Sequence, residues 1–174
     1  MGQIQAWIDG ELAPVELMEA HRKGLRHRAV SIFVMDGDQI LLQKRSAAKI
    51  HSPGRWSNTC CSHPNWGERP EQCAVRRLRD ELGIEGLYPA HADRVEYRTE
   101  VDGGLVEHEV VDVYIAFARP GMAVKPDPKE VSDTRWVGLY DLAAEVKRHP
   151  DRFSNWLRIY MQKHMDRILP TLIC

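Results

Sequence analysis

Apolar residues recur at two different periods along this chain, and its fold must accommodate both. Strand-like runs from Ala29 to Met35 and from Ile40 to Leu42 flank Asp36-Gly37-Asp38, a pattern typical of a β-hairpin. Between Pro70 and Leu82 the apolar residues are instead spaced as on one face of a helix, and Gly83 is a natural stop. The chain therefore combines strands and helices.

The remaining periodic segments complete the expected fold class. Val110 to Phe117 predicts a second strong strand and Thr134 to Val137 a shorter one, while Leu139 to Arg148 and Phe153 to Ile168 predict amphipathic helices. Because strands and helices do not alternate regularly, we expect an α+β fold or an α/β sandwich. No repeat or Pro/Gly-rich linker divides the 174 residues, so residues 1–174 are expected to form a single domain.

Composition excludes several classes of function. Acidic residues number 25 and basic residues 24, giving a net charge of -1, whereas nucleic-acid binders and polybasic membrane modules need an excess of Lys and Arg. The N-terminus lacks the pattern of a signal peptide, and no apolar run approaches the roughly 20 residues that span a bilayer. We therefore expect a cytoplasmic protein with no nucleic-acid or membrane partner. In that compartment metal binding or catalysis outranks disulfide formation as a role for a cysteine, although any single cysteine is more often an ordinary buried thiol.

The segment Cys61-Ser62-His63-Pro64 concentrates several reactive side chains. In an extended segment Cys61 and His63 point to the same side, because side chains alternate with a period of two. A thiol beside an imidazole can act as a nucleophile, an acid/base or a metal-binding pair. Taken alone, the spacing favours the simpler interpretation of a buried cysteine and a surface histidine.

The segment Glu107-His108-Glu109 precedes an apolar stretch of strand. The same period of two places both carboxylates on one face and His108 on the other. Two like charges so close are costly unless water or a cation separates them, so they indicate a metal site or a tuned proton-transfer pair. A solvated face of an edge strand is an equally good interpretation.

Two further histidines, His21 and His27, lie in the N-terminal part of the chain. They lie six positions apart, about 120° around a helix, so one helical face cannot present both. Together with His63 and the two glutamates, Glu107 and Glu109, they could form a three-histidine, two-glutamate shell for a divalent metal. Each histidine alone is more often structural, so only their convergence in space would be specific.

Basic residues gather at the end of the predicted hairpin and on the predicted helix, namely Arg45, Lys49, Arg76, Arg77 and Arg79. Helical spacing pairs Arg77 with Glu81 and Arg76 with Asp80, which by itself indicates ordinary surface ion pairs. The alternative is a basic cradle for phosphate, with Glu81 available for Mg²⁺.

Residues Glu68 to Ile84 resemble a degraded Nudix box, the metal-binding helix of Nudix hydrolases. Arg77 stands where those hydrolases carry a metal-binding Glu, and Ser62 stands where they carry a Gly. A cation in place of a carboxylate repels metals and attracts phosphate, so Mg²⁺-assisted hydrolysis of a diphosphate should be crippled.

One Nudix-fold family makes that replacement, and the chain resembles it over nearly its whole length: the type I isopentenyl-diphosphate isomerases. The resemblance rests on His21, on Leu25 to Ser31, on Asn58 to Pro64 and on Glu107-His108-Glu109. It implies a Nudix-like α/β/α sandwich with a mixed sheet, and reversible isomerisation of isopentenyl to dimethylallyl diphosphate in isoprenoid biosynthesis.

The same resemblance implies roles for individual residues. It makes Cys61 and Glu109 catalytic, with Tyr97 and Trp156 as active-site aromatics. It assigns one divalent metal, Mn²⁺, Zn²⁺ or Mg²⁺, to a His/Glu site formed by His21, His27, His63, Glu107 and Glu109. It assigns the substrate diphosphate to Arg45, Lys49 and Arg77, and a Mg²⁺ bound with that diphosphate to Glu81.

The sequence departs from the family pattern at three positions. Leu17 replaces a basic residue expected to contact diphosphate, Asn155 replaces Pro, and Val30 replaces Phe.

Two other functions compete with isomerisation: hydrolysis of nucleoside or other diphosphates by a Nudix-type enzyme, and catalytically silent binding of prenyl diphosphates. Arg77 argues against the first, and the retention of both Cys61 and Glu109 argues against the second. The sequence indicates no particular oligomeric state, and no role follows for Cys60, Cys73 or Cys174.

Overall fold

A computed structural model of the chain describes residues 2–169; Cys174 lies outside this range. Within it, nine strands belong to one mixed sheet. In chain order they are β1 (Gln3–Ile8), β2 (Glu11–Glu16), β3 (His27–Asp36), β4 (Gln39–Arg45), β5 (Trp56–Ser57), β6 (Cys60–Ser62), β7 (Ala90–Val101), β8 (Leu105–Phe117) and β9 (Val131–Gly138).

Five α-helices accompany the sheet within residues 2–169. They are α1 (Leu17–Lys23), α2 (Pro70–Leu82), α3 (Leu139–Arg148), α4 (Asn155–Lys163) and α5 (Met165–Ile168). Among the described residues, no helix combines the length and the apolar character that a bilayer crossing requires.

Strand β3 organises the sheet because four strands pair with its two edges. It runs antiparallel to β4 and β6 and parallel to β8, while β1 meets it at one residue pair, Ala6 with His27. Strand β8 continues into a long antiparallel pair with β7, and β4 pairs with β9. The sheet is therefore mixed, as the family resemblance implies.

The side chains of β3 alternate between two separate cores. Val30, Ile32 and Val34 pack with the apolar face of α2. Ala29 and Phe33 point the other way, into a larger core that includes residues of α3 and α4. The sheet is thus sandwiched between helices, which confirms the expected α+β sandwich.

Two segments differ from the sequence prediction. The helix predicted over 153–168 is wrong as a single element, because His164, at φ -129° and ψ 1°, ends α4 and a separate short helix follows. This break lets Ile168 and Leu169 reach the larger core. The short strand predicted over Thr134 to Val137 is also longer than expected. It is β9, which begins at Val131 and pairs with β4 along its length.

Several elements escaped the sequence analysis, among them the hairpin of β1 and β2, helix α1, and strand β7. The hairpin has a usable signal, since Asp9-Gly10 forms its two-residue turn with positive φ at both positions. Helix α1 is too short to show a clear period.

Gly83 fixes the close approach between α2 and the following chain. It adopts φ +62°, and a Cβ added there would lie 2.9 Å from both Cβ and the carbonyl oxygen of Lys125. Gly37 has a similar φ of +59° but open space around it. The two positions therefore separate backbone strain from steric contact.

We expect Gly83→Ala to lower the free energy of unfolding more than Gly37→Ala does. Both substitutions incur a left-handed backbone penalty of about 1–2 kcal/mol, and Gly83→Ala adds an overpacking cost of roughly 1–3 kcal/mol. Urea unfolding of the two variants measures the difference. Equal destabilisation would show that the backbone around Lys125 shifts to accommodate the added methyl group without a measurable free-energy cost.

Candidate active site

Strand register brings the reactive residues to one face of the sheet. Cys61 on β6 pairs with Ser31, and Glu109 on β8 pairs with His27. Because residues 27 and 31 of β3 are an even number apart, all four side chains lie on the same face. Tyr97 on β7 pairs with Glu109 and joins them.

Three imidazoles surround one carboxylate oxygen. Oε1 of Glu109 lies 3.0 Å from Nε2 of His63, 3.3 Å from Nε2 of His27 and 3.8 Å from Nε2 of His21. One potential ligand atom from each of these four residues lies within 4.8 Å of all the others. Such a group of nitrogen and oxygen donors is compatible with a divalent metal ion.

The outer nitrogens of two of these histidines are already engaged. Nδ1 of His21 donates to the carbonyl oxygen of Leu17 and Nδ1 of His27 to that of Leu25, both at 2.8 Å. This arrangement directs both Nε2 atoms toward Glu109, an orientation found in many metal sites. Nε2 of His21 is buried and has no hydrogen-bond partner among residues 2–169, which a bound cation would supply.

The two glutamates of β8 have opposite electrostatic environments. Burial alone would raise the pKa of Glu109, but the charge of His63 and the imidazole hydrogen bonds outweigh it and hold that pKa well below its usual range. For Glu107, burial and then the negative charge of Glu109 raise the pKa to about 8. Tyr97 bridges the pair, donating to Glu109 at 3.0 Å and to Glu107 at 3.3 Å.

Glu107 does not belong to the compact group of four, in contrast to the shell of three histidines and two glutamates expected from the sequence. Its nearest imidazole is that of His51, with Nδ1 3.9 Å from Oε1. The His51 ring also stacks at 4.3 Å on that of His21. Sequence reasoning missed His51 because it lies in a loop without any period or motif.

His51 is a neutral group in this cluster. Burial, followed by the charges of His21 and His63, lowers its pKa to about 3. Both ring nitrogens are buried without a hydrogen-bond partner among the described residues. A neutral ring there can offer one donor and one acceptor to a bound molecule.

The adjacent cysteines point to opposite faces of the sheet. The Cys60 thiol lies on the α2 side and donates to Glu81 at 3.0 Å. The Cys61 thiol lies on the other side, 3.2 Å from both Oδ1 of Asn58 and Oγ of Ser31. Burial raises the pKa of Cys61 to about 11, although hydrogen bonds from its surroundings and the charge of Arg45 oppose that shift. The thiol is therefore protonated near neutral pH.

Trp156 on α4 covers the same face in a fixed orientation. Its indole N–H donates to Oγ of Ser57 at 2.8 Å. The Arg45 guanidinium lies 4.9 Å from the centroid of its ring, and Nε of Arg45 donates to the carbonyl oxygen of His51 at 2.9 Å. Arg45 is thereby held at the edge of the site.

The other predicted cations lie beside carboxylates. Arg77 pairs with Glu81, as its helical spacing predicts, and also lies 3.5 Å from Glu130. Lys49 pairs with the same Glu130, which sequence analysis did not identify. Glu81 is almost fully buried and also accepts from Nε2 of Gln43 at 3.1 Å.

One predicted ion pair is wrong: Arg76 does not pair with Asp80. Its Nε instead donates to Glu68 at 3.0 Å, and Asp80 pairs with the neighbouring Arg79. Arg76 thus turns toward the start of its own helix, where the Glu68 carboxylate is better shielded from water.

Two neighbouring cavities are lined by these groups. The inner cavity, about 40 Å³, includes Cys61, Glu107, Glu109 and Trp156 in its lining. The outer cleft, about 480 Å³, is lined by Lys49, Arg77 and Glu81, among others. Both share Arg45, His51, Cys61, Ser62 and His63 as lining residues. Leu17 lines the outer cleft, at the position where the family pattern has a basic residue.

Comparison with known proteins agrees with this arrangement. Residues 25–157 match the NUDIX domain. The isopentenyl-diphosphate Delta-isomerase of Cereibacter sphaeroides is 59% identical over 97% of this chain and 96% of its own length. The chain belongs to the isopentenyl-diphosphate Delta-isomerase family. Two further family members are similar to this chain. The one from Dinoroseobacter shibae is 58% identical over 97% of this chain and 96% of its own length. The one from Ruegeria pomeroyi is 53% identical over 98% of this chain and 95% of its own length.

Solved structures support the fold assignment of this Delta-isomerase family member. A Deinococcus radiodurans protein superposes with a TM-score of 0.74 over 94% of this chain and 98% of its own, at 15% identity. A MutT NUDIX hydrolase from Burkholderia pseudomallei gives a TM-score of 0.63 over 80% and 98%, at 24% identity. At these identities the likeness shows the Nudix fold alone.

We expect the purified protein to retain about one divalent metal ion per chain and His63→Ala to lose most of it. Removing one imidazole from a mixed His/Glu site weakens binding strongly, because the remaining ligands cannot complete the coordination. Elemental analysis after dialysis measures the change. His149→Ala, at an exposed position, is the control. Equal metal content in the His63 variant would place the ion elsewhere.

Proposed function

We propose that this chain interconverts isopentenyl and dimethylallyl diphosphate, with Cys61 and Glu109 as the two proton-transfer groups. The observation that carries the proposal is their position in one small cavity that shares five lining residues with a cleft lined by cations. Moving a double bond requires protonation of one carbon and removal of a proton from another. A thiol and a carboxylate in the same cavity supply both transfers.

The two cavities suit the two ends of this substrate. The inner cavity, with the indole of Trp156 in its wall, is suited to the apolar alkene end. The outer cleft offers Arg45, Lys49 and Arg77, which are suited to a diphosphate. Arg45 lines both cavities and is held through the His51 carbonyl, so it would bind the phosphate nearer the hydrocarbon.

Cys61 and Glu109 carry complementary protonation states for this reaction. The buried thiol keeps its proton near neutral pH, whereas Glu109 is held as a carboxylate by its imidazole neighbours. One group can therefore give a proton while the other accepts one, and the roles exchange in the reverse direction. Tyr97 donates to Glu109 and keeps that carboxylate oriented.

The carbocation-like intermediate needs stabilisation without a nucleophile that could trap it. The indole of Trp156 lines the inner cavity, and its N–H is anchored on Ser57, so the electron-rich ring is held in place. An aromatic face stabilises a nearby cation by about 0.5–2 kcal/mol. We assign Trp156 this role.

A divalent ion is part of the proposal. His21, His27, His63 and Glu109 would hold it, with Glu107 nearby, and the donor set is compatible with Mn²⁺, Zn²⁺ or Mg²⁺. Such an ion would fix the Glu109 carboxylate and adjust its acidity. A Mg²⁺ bound to the substrate diphosphate would use Glu81 in the outer cleft.

The remaining expectations follow from the site. The partner is a small-molecule prenyl diphosphate, since the outer cleft combines cations with modest dimensions. A catalytic Cys61 must remain a free thiol, and within residues 2–169 it forms no disulfide. We infer a reducing compartment, the cytoplasm, as the place of action.

We expect the protein to incorporate solvent deuterium into isopentenyl diphosphate, and Cys61→Ala or Glu109→Gln to abolish this exchange. Each substitution removes a group that carries the transferred proton. Mass spectrometry of the substrate pool measures the exchange. Cys73→Ala and Glu96→Gln serve as controls of matched residue type, because both lie outside the cavities that hold Cys61 and Glu109.

Near-normal exchange in either site variant would overturn its assigned role. The same samples, assayed for phosphate release from nucleotides, test hydrolysis as the competing function. Phosphate release without deuterium incorporation would replace the isomerase with a hydrolase. Binding with neither activity would indicate a silent prenyl diphosphate binder.

We expect Leu17→Lys to lower KM while leaving kcat nearly unchanged. The cleft lacks a cation at this position, and one charge-assisted hydrogen bond is worth about 1.5–3 kcal/mol, roughly ten- to a hundredfold in affinity. Val75→Lys, which adds the same charge at an exposed position of α2, is the control. An unchanged KM in the Leu17 variant would contradict the placement of the diphosphate.

A further inference from the structure

A buried line of hydrogen bonds leads from helix α4 to the Cys61 thiol. The hydroxyl of Tyr160 lies 2.7 Å from Oγ of Ser31, which lies 3.2 Å from Sγ of Cys61. Tyr160 and Ser31 are each only 1% exposed. Neither residue belongs to the set that sequence analysis assigned to the reaction.

The surroundings of Asn58 give this line a direction. Its side-chain amide N–H groups donate to the carbonyl oxygens of Ile32 and Cys60, at 3.1 and 3.2 Å. Oδ1 of Asn58 therefore faces Cys61 and can only accept. The Cys61 thiol donates a hydrogen bond of 3.2 Å to it. The sulfur is left as an acceptor toward Ser31.

The same assignment of donors and acceptors gives a direction to the hydrogen bond between Tyr160 and Ser31. If the Ser31 hydroxyl donates to sulfur, its oxygen is free to accept from Tyr160. Among residues 2–169, Ser31 is the hydrogen-bond partner that the structure gives the Tyr160 hydroxyl. The donors thus run from Tyr160 to Ser31 to Cys61 to Asn58, and successive hydrogen bonds of this kind polarise one another.

We propose that Ser31 is a further catalytic residue: its hydroxyl, polarised by the positioning residue Tyr160, stabilises the sulfur of Cys61 whenever the thiol proton has moved to substrate. The proposal rests on the isomerase function proposed above. Asn58 cannot perform this task, because its oxygen is an acceptor that would face a negatively charged sulfur.

The proton balance of the step is simple. The S–H bond of Cys61 breaks, a C–H bond forms on the alkene, and the electron pair of the broken bond stays on sulfur. Ser31 shares its proton with that sulfur without transferring it, and the step reverses when sulfur removes a proton from carbon. Hydrogen bonds to a charged partner are about twice as strong as neutral ones, so this bond strengthens as the sulfur becomes negative.

The test measures kcat and KM for isomerisation in Ser31→Ala, Tyr160→Phe and the double variant. We expect Ser31→Ala to lower kcat about ten- to a hundredfold. We expect Tyr160→Phe, which removes one oxygen atom only, to lower kcat about three- to tenfold. KM and metal content should stay within about twofold, because neither residue lines the outer cleft or belongs to the His/Glu group.

The double variant distinguishes this role from general packing. Because Tyr160 acts through Ser31, adding Tyr160→Phe to Ser31→Ala should cause no further loss of kcat. Tyr114→Phe, at a buried tyrosine of strand β8, is the matched control and should leave kcat unchanged. Ser31→Thr keeps the hydroxyl and should recover more kcat than Ser31→Ala allows.

An unchanged kcat in both single variants, a parallel rise in KM, or additive losses in the double variant would overturn the role of Ser31 and Tyr160. If Ser31→Ala does not fold, as thermal unfolding would show, Tyr160→Phe decides alone. Deuterium incorporation by the unmodified protein separates the two proposals. Its absence would overturn the isomerase itself, whereas normal exchange in every variant would overturn only this inference.

Discussion

The shared carboxylate of Glu109 is the interaction on which the arrangement of the site depends. A buried carboxylate is costly unless neighbours compensate its charge, and here three imidazoles converge on one of its oxygens. They come from α1, β3 and the segment after β6, so the cluster ties together elements that are distant in sequence. The same oxygen that a metal would bind thus also holds this corner of the fold together, and Tyr97 orients the other oxygen of the carboxylate.

Strand alternation distributes the chemistry between the two faces of the sheet. Cys60 and Cys61 are neighbours in sequence, yet one thiol contacts Glu81 below α2 and the other lines the inner cavity below α4. A single strand therefore contributes to both the outer cleft and the inner cavity. The hydrogen bonds from Tyr160 and Ser31 extend this arrangement, because they reach Cys61 from the helix that also carries Trp156.

Sequence periodicity predicted the parts of the fold that repeat strongly, such as α2 and the hairpin of β3 and β4. It missed β7, whose alternating side chains are mostly polar or exposed, and it could not place the break at His164, which depends on packing of Ile168 in the core. Motifs and the family resemblance identified Cys61 and Glu109. Residues such as His51 and Glu130 lie in loops between elements, so only tertiary structure brings them to the site.

X-ray absorption spectroscopy of the zinc-loaded protein tests the central claim most directly, because it reports the atoms bound to the ion. The account predicts three imidazole nitrogens and a carboxylate oxygen at about 2.0–2.2 Å, with no sulfur ligand, because Cys61 is reserved for proton transfer. A zinc–sulfur distance near 2.3 Å, or a shell with a single imidazole, would contradict it. Either result would mean that Glu109 and its three histidines do not form the metal centre.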